Sequence, residues 1–168
     1  MNDRVPIDKF SIKNYYPAAL KLAKEWDPQA ELHFVKILYS RYLGDQIDIY
    51  PFEMEFEFYS NSKDYWEEKD VIVDQDGKIE IKDGNHANQN ADPIDMGLVK
   101  IDNVELLRKV EEEWGLELRK NKDVGRVLIM LESEWRGSGP YYTVLYRDGF
   151  YGEALKKGKY SISTGEPI

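Results

Sequence analysis

Residues that could carry out chemistry are few in this chain of 168 residues, which has two histidines and no cysteine. A hydrolase of the Ser-His-Asp type needs a histidine base beside an activated nucleophile. Neither His33 nor His86 is accompanied by a Gly-x-Ser-x-Gly motif. We interpret His33 as a surface imidazole on a strand and His86 as a polar loop residue. The chain is therefore predicted not to be an enzyme, and without cysteine it has no thiolate, Cys-based zinc site or disulfide.

Carboxylates are plentiful, and the clearest set is Glu53, Glu55 and Glu57 in the stretch PFEMEFEFYS. A glycosidase needs two carboxyl groups held across a cleft, with environments that separate their pKa values. These acids instead repeat every second residue and alternate with large apolar residues. That pattern predicts a half-buried strand whose carboxylates lie on the solvated face.

A possible metal loop lies farther along, where Asn88, Asn90 and Asp92 stand at every second position. An EF-hand that opens this way requires Gly at its sixth position and Glu at its twelfth. Those positions hold Pro93 and Val99, so no EF-hand, metal site or cofactor is predicted. Irregular calcium binding by Asp83, Asp92 or Asp95 stays open as an alternative.

Aromatic residues, with one arginine, cluster near the predicted connection between the second and third strands of each half. Such residues are frequent anchors of protein interfaces, and in turns they are harder to explain by core packing. An alternative is that large rings cap the open edge of a small core. The candidate partner-binding residues are Tyr65, Trp66, Trp135, Arg136, Tyr141 and Tyr142.

The first half predicts one helix followed by four strands. The helix has an apolar stripe of Ala19, Leu22, Ala23 and Trp26 at helical spacing, with Pro17 expected in its first turn. The strands are AELHFVKILY, PFEMEFEFYS, YWEEKDVIVD and IEIK, and an Asp-Gly pair at 76–77 predicts a hairpin turn between the last two.

The second half repeats this order. Leu107, Val110 and Trp114 form the helical stripe, and Gly115 is expected to end the helix. Four strands are predicted to follow, in LELRKN, RVLIMLESEW, YYTVLYRDG and FYGEALKKG, with a second Asp-Gly pair at 148–149. Trp26 and Trp114 are both expected to pack on the sheet and close the end of a thin core.

The predicted fold class is therefore α+β, a tandem repeat of one helix packed on a four-stranded antiparallel sheet. Residues 1–82 form the first unit, residues 83–97 a polar linker and residues 98–168 the second unit. We expect the two sheets to join edge to edge, because this hides two edge strands.

The pattern resembles the PepSY-like small domains of bacteria, which belong with cystatin-like units of one helix across an antiparallel sheet. The resemblance covers about residues 15–82 and, more loosely, 103–158. In the second half, Tyr146, Arg147 and Asp148 replace the acid-rich strand end of that pattern. The tandem arrangement is also similar to the β-lactamase inhibitory proteins, whose disulfides this chain lacks. The residues that carry the PepSY-like resemblance are Ala19, Leu22, Ala23, Val71, Ile72, Val73, Asp74 and Gly77.

What these resemblances imply is a non-catalytic protein-binding module. Its partner would be a protein, such as a peptidase or another secreted or envelope enzyme that it inhibits or regulates. One alternative is a binding protein for a small apolar ligand held between helix and sheet, in a cavity lined by Phe56, Phe58 and Trp26. Another is an acidic cytoplasmic inhibitor of the immunity type with a basic toxin as partner.

Charge and hydropathy limit the other partners. The net charge of −9, from 32 acids and 23 bases, argues against non-specific binding to nucleic acid or anionic lipid. The first residues contain no apolar run, so no signal peptide or membrane span is expected. The location stays open: extracellular or cell envelope if a leader has been removed, and cytoplasmic otherwise. The oligomeric state is not predicted.

Overall fold

The structure, a computed structural model, describes residues 4–41, 48–62, 67–85, 90–134, 136–137, 139–149 and 151–168. The first half contains helix α1 and four strands: α1 (Ile12–Trp26), β1 (Glu31–Arg41), β2 (Ile49–Ser60), β3 (Glu67–Asp74) and β4 (Ile79–Asp83). A short 3-10 helix spans Met96–Leu98. The second half contains α2 (Asn103–Val110), a π-helical turn (Glu111–Gly115), α3 (Leu116–Asn121), β5 (Val124–Glu132), β6 (Tyr141–Asp148) and β7 (Ala154–Tyr160).

The strands form one seven-stranded antiparallel sheet in the order β4-β3-β2-β1-β5-β6-β7. This confirms the α+β class and the antiparallel sheet. The halves join where β1 pairs with β5, in a ladder that runs from Phe34 opposite Glu132 to Ser40 opposite Arg126, so the predicted edge-to-edge junction is confirmed. Among its described residues the second half contributes three strands, and the prediction of four strands there is wrong.

The missing strand is the stretch LELRKN, which forms helix α3. Gly115 does not end the second helix, because the chain continues through the π-helical turn into α3. A Cβ added at Gly115 would lie 2.4 Å from the Tyr146 hydroxyl oxygen. That hydroxyl donates to Glu111, which also accepts from Arg119 Nε at 3.0 Å. Glycine is therefore needed here for close approach to β6 rather than for a helix end.

We expect Gly115→Ala to lower the free energy of unfolding by about 2 kcal/mol, because the new methyl group overlaps Tyr146. In a Tyr146→Phe background the same change should cost less, because the hydroxyl is gone. Urea unfolding of the four proteins of this double-mutant cycle measures the difference. An equal cost in both backgrounds would contradict the packing explanation.

One core joins the helices to one face of the sheet. Ala19 and Ala23 of α1 and Leu106 and Val110 of α2 belong to a single buried cluster with alternate residues of the strands. Trp26 and Trp114 pack against this cluster, as predicted. The Trp114 ring lies 4.8 Å from that of Tyr146, and its indole N–H donates to the Tyr160 hydroxyl at 3.0 Å.

Part of the predicted linker also packs on the sheet. Ile94 is buried, and its N–H donates to the carbonyl of Leu32 at 2.7 Å. The hydroxyl of Ser133, just beyond β5, donates to the carbonyl of Asp92. Residues 90–95 therefore connect the β1 and β5 regions of the sheet. The unit boundaries at residues 82 and 98 stay a prediction.

The two helices meet at their N-terminal ends through a buried amide. The Asn103 side chain accepts from the N–H of Ile12 at 2.7 Å and donates to the carbonyl of Phe10 at 2.9 Å. It also lies 2.9 Å from the hydroxyl of Tyr39 on β1, and Asn103 and Tyr39 are both fully buried. Ser11, the N-cap of α1, donates to Asp102, the N-cap of α2. One amide thus connects both helices to the central strand. Helix α1 begins five residues before Pro17, so this proline lies beyond the first turn, where it was predicted.

Replacing Asn103 by Ala should lower the free energy of unfolding by about 3 kcal/mol or more, because three buried polar groups lose a partner. The exposed Asn14, whose amide donates to the carbonyl of Lys9 at 3.0 Å, provides a matched control. Asn14→Ala should cost less than about 1 kcal/mol. Urea unfolding followed by circular dichroism compares the two, and similar costs would mean that the Asn103 contacts do not stabilise the fold.

Candidate functional site

The two connections that carry the candidate partner-binding residues, one after β2 and one after β5, begin at the same end of the sheet. β2 reaches this end at Ser60 and β5 reaches it at Glu132, and both strands pair there with the first residues of β1. We call this the tip end, made of residues 60–62, 90–95, 133–134, 136–137 and 139–141. Tyr65, Trp66 and Trp135 lie outside the described residues, so their role stays a prediction.

Arg136 is exposed at the tip end and has a left-handed backbone, with φ of 54°. Residues other than glycine rarely adopt this conformation, and it persists where surrounding contacts hold it. The Arg136 N–H donates to the Asp92 carboxylate at 3.0 Å. The segment that contains Asp92 thereby fixes the backbone from which the Arg136 side chain extends, a contact with no signal in the sequence.

Tyr141 is part of a second surface group at this end. Its ring lies 3.7 Å from the ammonium nitrogen of Lys159 on β7. The Glu134 carboxylate accepts from that ammonium group at 3.1 Å and from the Tyr141 hydroxyl at 3.3 Å. Lys159 lowers the pKa of Glu134 through its hydrogen bond and its charge. The group is a partly exposed ring held between opposite charges, which is the amphipathic character of an interface anchor.

Tyr142 differs from its neighbour because it is fully buried. Its hydroxyl donates to the carbonyl of Ile101 at 2.8 Å, and burial raises the pKa of this phenol. In this structure Tyr142 packs in the core and attaches residue 101 to the sheet. Of the candidate residues that are described, Arg136 and Tyr141 therefore lie at the surface.

His33 is buried, and the prediction of a surface imidazole is wrong. It is 2% exposed, its Nδ1 lies 2.8 Å from the carbonyl oxygen of Ala91, and its ring packs against Tyr59. Burial lowers the pKa of this imidazole. A register shift between Leu32 and Phe34 interrupts the alternation at this point, which is why the simple strand pattern misplaced the side chain. His86 lies outside the described residues.

The face of the sheet opposite the helices is called here the second face. It carries Phe34, Lys36 and Leu38 of β1 together with their partners across each ladder, because directly paired residues share a face. In the described part of the chain, both long helices join the core of the other face. The second face combines apolar residues near β1 with charged residues on both sides.

Buried carboxylates form an acidic cluster on the second face, consisting of Glu55, Glu57, Glu68 and Asp70. Each is less than a tenth exposed, so the prediction that Glu55 and Glu57 are solvated is wrong. The acids lie on β2 and β3, inside a wide sheet whose neighbouring side chains shield them. Glu57 and Asp70 are direct partners across the β2–β3 ladder. The register places Lys36 opposite Glu55, and the two form an ion pair.

This environment changes the ionisation of the cluster. The pKa of Asp70 is raised to about 8. The largest cause is burial, followed by a hydrogen bond with Glu68 and by the charges of Glu55 and Glu57. For Lys36, burial opposes the charged form, but the Glu55 carboxylate and the nearby acids outweigh it and raise the lysine pKa. Near neutral pH the cluster therefore retains a proton on the Asp70 carboxyl group.

Stability should consequently fall as pH rises. The unfolded chain releases the Asp70 proton near pH 3.9, whereas the folded chain keeps it until about pH 8. Unfolding between these values releases a proton, so the free energy of unfolding should decrease by at most about 1.4 kcal/mol per pH unit. Asp70→Asn should remove most of this decrease, measured by urea unfolding from pH 5 to pH 8.

Asp83 provides a control, because its pKa is shifted in the opposite direction from that of Asp70. Lys69 lowers the pKa of this exposed carboxyl group. Its contribution to stability is present above pH 4 and is lost in more acidic solution. Asp83→Asn should therefore leave the decrease between pH 5 and pH 8 in place. If Asp70→Asn behaved in the same way, Asp70 would not be the group that holds the proton.

The apolar-ligand alternative predicted a cavity lined by Phe56, Phe58 and Trp26. In the structure Phe56 and Phe58 are fully buried in the core. A cavity of about 690 Å³ lies elsewhere, between residues 4–7 and 48–51, with Arg119 at its wall. The described core is thus filled by side chains at the place where the ligand was expected.

Within the described ranges, no group of three or more His, Asp or Glu residues is arranged to hold a metal ion. No described helix is long and apolar enough to cross a membrane. In comparisons with known proteins, no family model, no curated protein and no solved structure matches the chain. The PepSY-like resemblance thus stays a prediction, and the function is inferred from the surface itself.

Proposed function

We propose that the protein is a non-catalytic binding module that inhibits or regulates a secreted or envelope enzyme such as a peptidase. The observation that carries this proposal is the tip end, where the connections after β2 and β5, selected for their aromatic residues, begin at the same end of the sheet. There Arg136 is exposed, and a contact from Asp92 fixes its backbone. A side chain on a fixed backbone loses less entropy on binding than one on a mobile loop.

The mechanism would be steric. Arg136 and Tyr141 would enter a cleft of the partner, with the tip end covering the approach of its substrate. The pairing of Tyr141 with Lys159 and Glu134 holds the ring in place before binding. The net charge of −9 would attract a partner with a basic rim and speed association.

A basic toxin is the second candidate partner, as in immunity-type inhibitors. The net charge of −9 favours it, because it complements a cationic protein. The two functions share one surface and differ in the compartment and in the enzyme inhibited. A neighbouring gene that encodes a basic toxin would favour the immunity function.

We also infer that the halves derive from one repeated PepSY-like unit. Each half begins with a helix and continues as an antiparallel meander. In each half an Asp-Gly pair connects the last two strands, with a left-handed glycine at Gly77 and at Gly149. The first strand of the second copy would have become helix α3.

The test is affinity capture from the source cell's envelope and culture fluid, followed by a binding and inhibition assay with the identified enzyme. Arg136→Ala with Tyr141→Ala should weaken binding at least about tenfold, as expected for interface anchors. Trp66→Ala with Trp135→Ala should weaken it as well, because both are candidate anchors. Tyr151→Ala is the matched control, since Tyr151 is 89% exposed and lies beyond the other end of β6.

The expected result is that the captured enzyme is inhibited by the wild type and by Tyr151→Ala, and much less by the tip-end variants. All variants must melt cooperatively at wild-type temperature, so that unfolding is not the cause. Equal inhibition by the tip-end variants would remove the tip end from the proposal. Binding that is lost only with Tyr151→Ala would place the interface at the opposite end of the sheet.

A further inference from the structure

Strand β4 forms one edge of the sheet, and its residues are accessible. Four of its five residues are exposed, and Ile79 is partly buried. In the described part of the chain no segment pairs with the outer side of β4. The opposite edge, at β7, is partly covered, because the N–H of Ile168 donates to the carbonyl of Lys159 at 3.0 Å. An uncovered edge is a place where another strand can add to a sheet.

The hydrogen bonds between β3 and β4 show which backbone groups of β4 point outward. At one end of the ladder the N–H of Asp74 donates to the carbonyl of Lys78 at 3.0 Å, and at the other end the N–H of Gly84 donates to that of Glu68 at 3.3 Å. Hydrogen-bonded pairs alternate with non-hydrogen-bonded pairs along an antiparallel ladder. The even-numbered residues of β4 therefore bond to β3. The residues whose N–H and C=O groups point away from the sheet are Ile79, Ile81 and Asp83.

The side chains of β4 alternate between the two faces of the sheet. Ile81 pairs with Val71 of the core, so it lies on the face that carries the helices, where it is 37% exposed. Glu80 and Lys82 lie on the second face, where both are exposed and form an ion pair with each other. The centre of β4 thus carries one accessible apolar residue between two opposite charges.

We propose that β4 pairs antiparallel with β4 of a second copy of this chain, in a two-fold symmetric dimer. Ile81 lies opposite its own counterpart, and the two residues exchange both of their backbone hydrogen bonds. Ile79 of each copy exchanges hydrogen bonds with Asp83 of the other in the same way. The two sheets become one continuous sheet, with the helices of both copies on the same side.

Charge selects this register among those that the backbone allows. Only outward-pointing groups can bond to the second copy, so the symmetric registers that overlap most of β4 are centred on Glu80, Ile81 or Lys82. A centre at Glu80 opposes two carboxylates and a centre at Lys82 opposes two ammonium groups, and directly opposed like charges are destabilising. A centre at Ile81 instead places Glu80 of each copy opposite Lys82 of the other. The edge is therefore complementary to itself, as an isologous interface requires.

This inference goes beyond the proposed function, because it concerns a second copy of the chain rather than a target enzyme. Strand β4 contains none of the tip-end residues, so its pairing leaves the tip end accessible. Because the two β4 strands are antiparallel, the tip ends of the two copies point in opposite directions. The dimer would therefore be bivalent and could bind two target molecules at once.

The test is sedimentation equilibrium of the full chain from about 1 μM to 1 mM, the range of weak protein association. The wild type should dimerise within this range. Glu80→Lys opposes two ammonium groups at both sides of the dimer axis, and Lys82→Glu opposes two carboxylates there. Each variant alone should therefore dimerise at least about tenfold more weakly than the wild type.

Mixing the two variants provides the decisive result. Each ammonium group of one variant then faces a carboxylate of the other, so the mixture should form a heterodimer with affinity close to that of the wild type. Lys157→Glu is the matched control, because it makes the same charge change as Lys82→Glu at an exposed position of the other edge strand. This control should leave dimerisation unchanged.

Amide hydrogen exchange resolved by residue tests the backbone pairing separately. The outward-pointing amides of Ile79, Ile81 and Asp83 should exchange at least about tenfold more slowly in the dimer than in the dilute monomer. The amides of Glu80 and Lys82, which bond to β3 in both states, should change little.

A wild type that stays monomeric throughout this concentration range overturns the inference. So do single variants that dimerise like the wild type, and variants that fail to associate when mixed although both melt cooperatively. A dimer that Lys157→Glu weakens as much as Lys82→Glu, or that leaves the outward-pointing amides of β4 unprotected, also overturns it. The proposed function has a separate readout, since a monomeric protein that still inhibits its target through the tip end would retain that function.

Discussion

The pairing of β1 with β5 is the interaction on which the rest of the structure depends. It joins two helix-plus-meander halves into one seven-stranded sheet and removes two edges that would otherwise be exposed. Helices α1 and α2 share one core, and Asn103 connects their N-terminal ends. The same junction brings the connections after β2 and β5 to one end of the sheet, where the candidate binding residues lie.

Local patterns were sufficient for much of this fold. The apolar stripes of both helices, the alternation in β2 and the two Asp-Gly turns each reflect short-range constraints, and the sequence shows such constraints directly. The errors arise where a distant contact decides the outcome. The sequence predicts that Gly115 ends a helix. In the structure the helix continues through Gly115, and the nearby Tyr146 hydroxyl leaves no room for a side chain there. Alternation predicted solvated carboxylates at Glu55 and Glu57, but a sheet this wide buries both of its faces near the centre.

The candidate site shows the same limit. Composition selected Arg136 and Tyr141, and the structure places both at the surface of the tip end. Composition could not select Asp92, Glu134 or Lys159, which hold Arg136 and Tyr141 in position. These are ordinary charged residues whose role depends on tertiary contacts. Nor could it separate Tyr141 from Tyr142, since adjacent strand residues point to opposite faces and the register decides which one is buried.

The most direct test of the account is amide hydrogen exchange of the protein with and without its captured target enzyme. The account predicts that binding slows exchange at residues 133–141 and at the tip-end residues of β2 and β3. Exchange in α2 and at the N-terminal end of α1 should be unchanged. Protection confined to the helices, with none at the tip end, would contradict the central claim that the partner binds where the two halves bring their connections together.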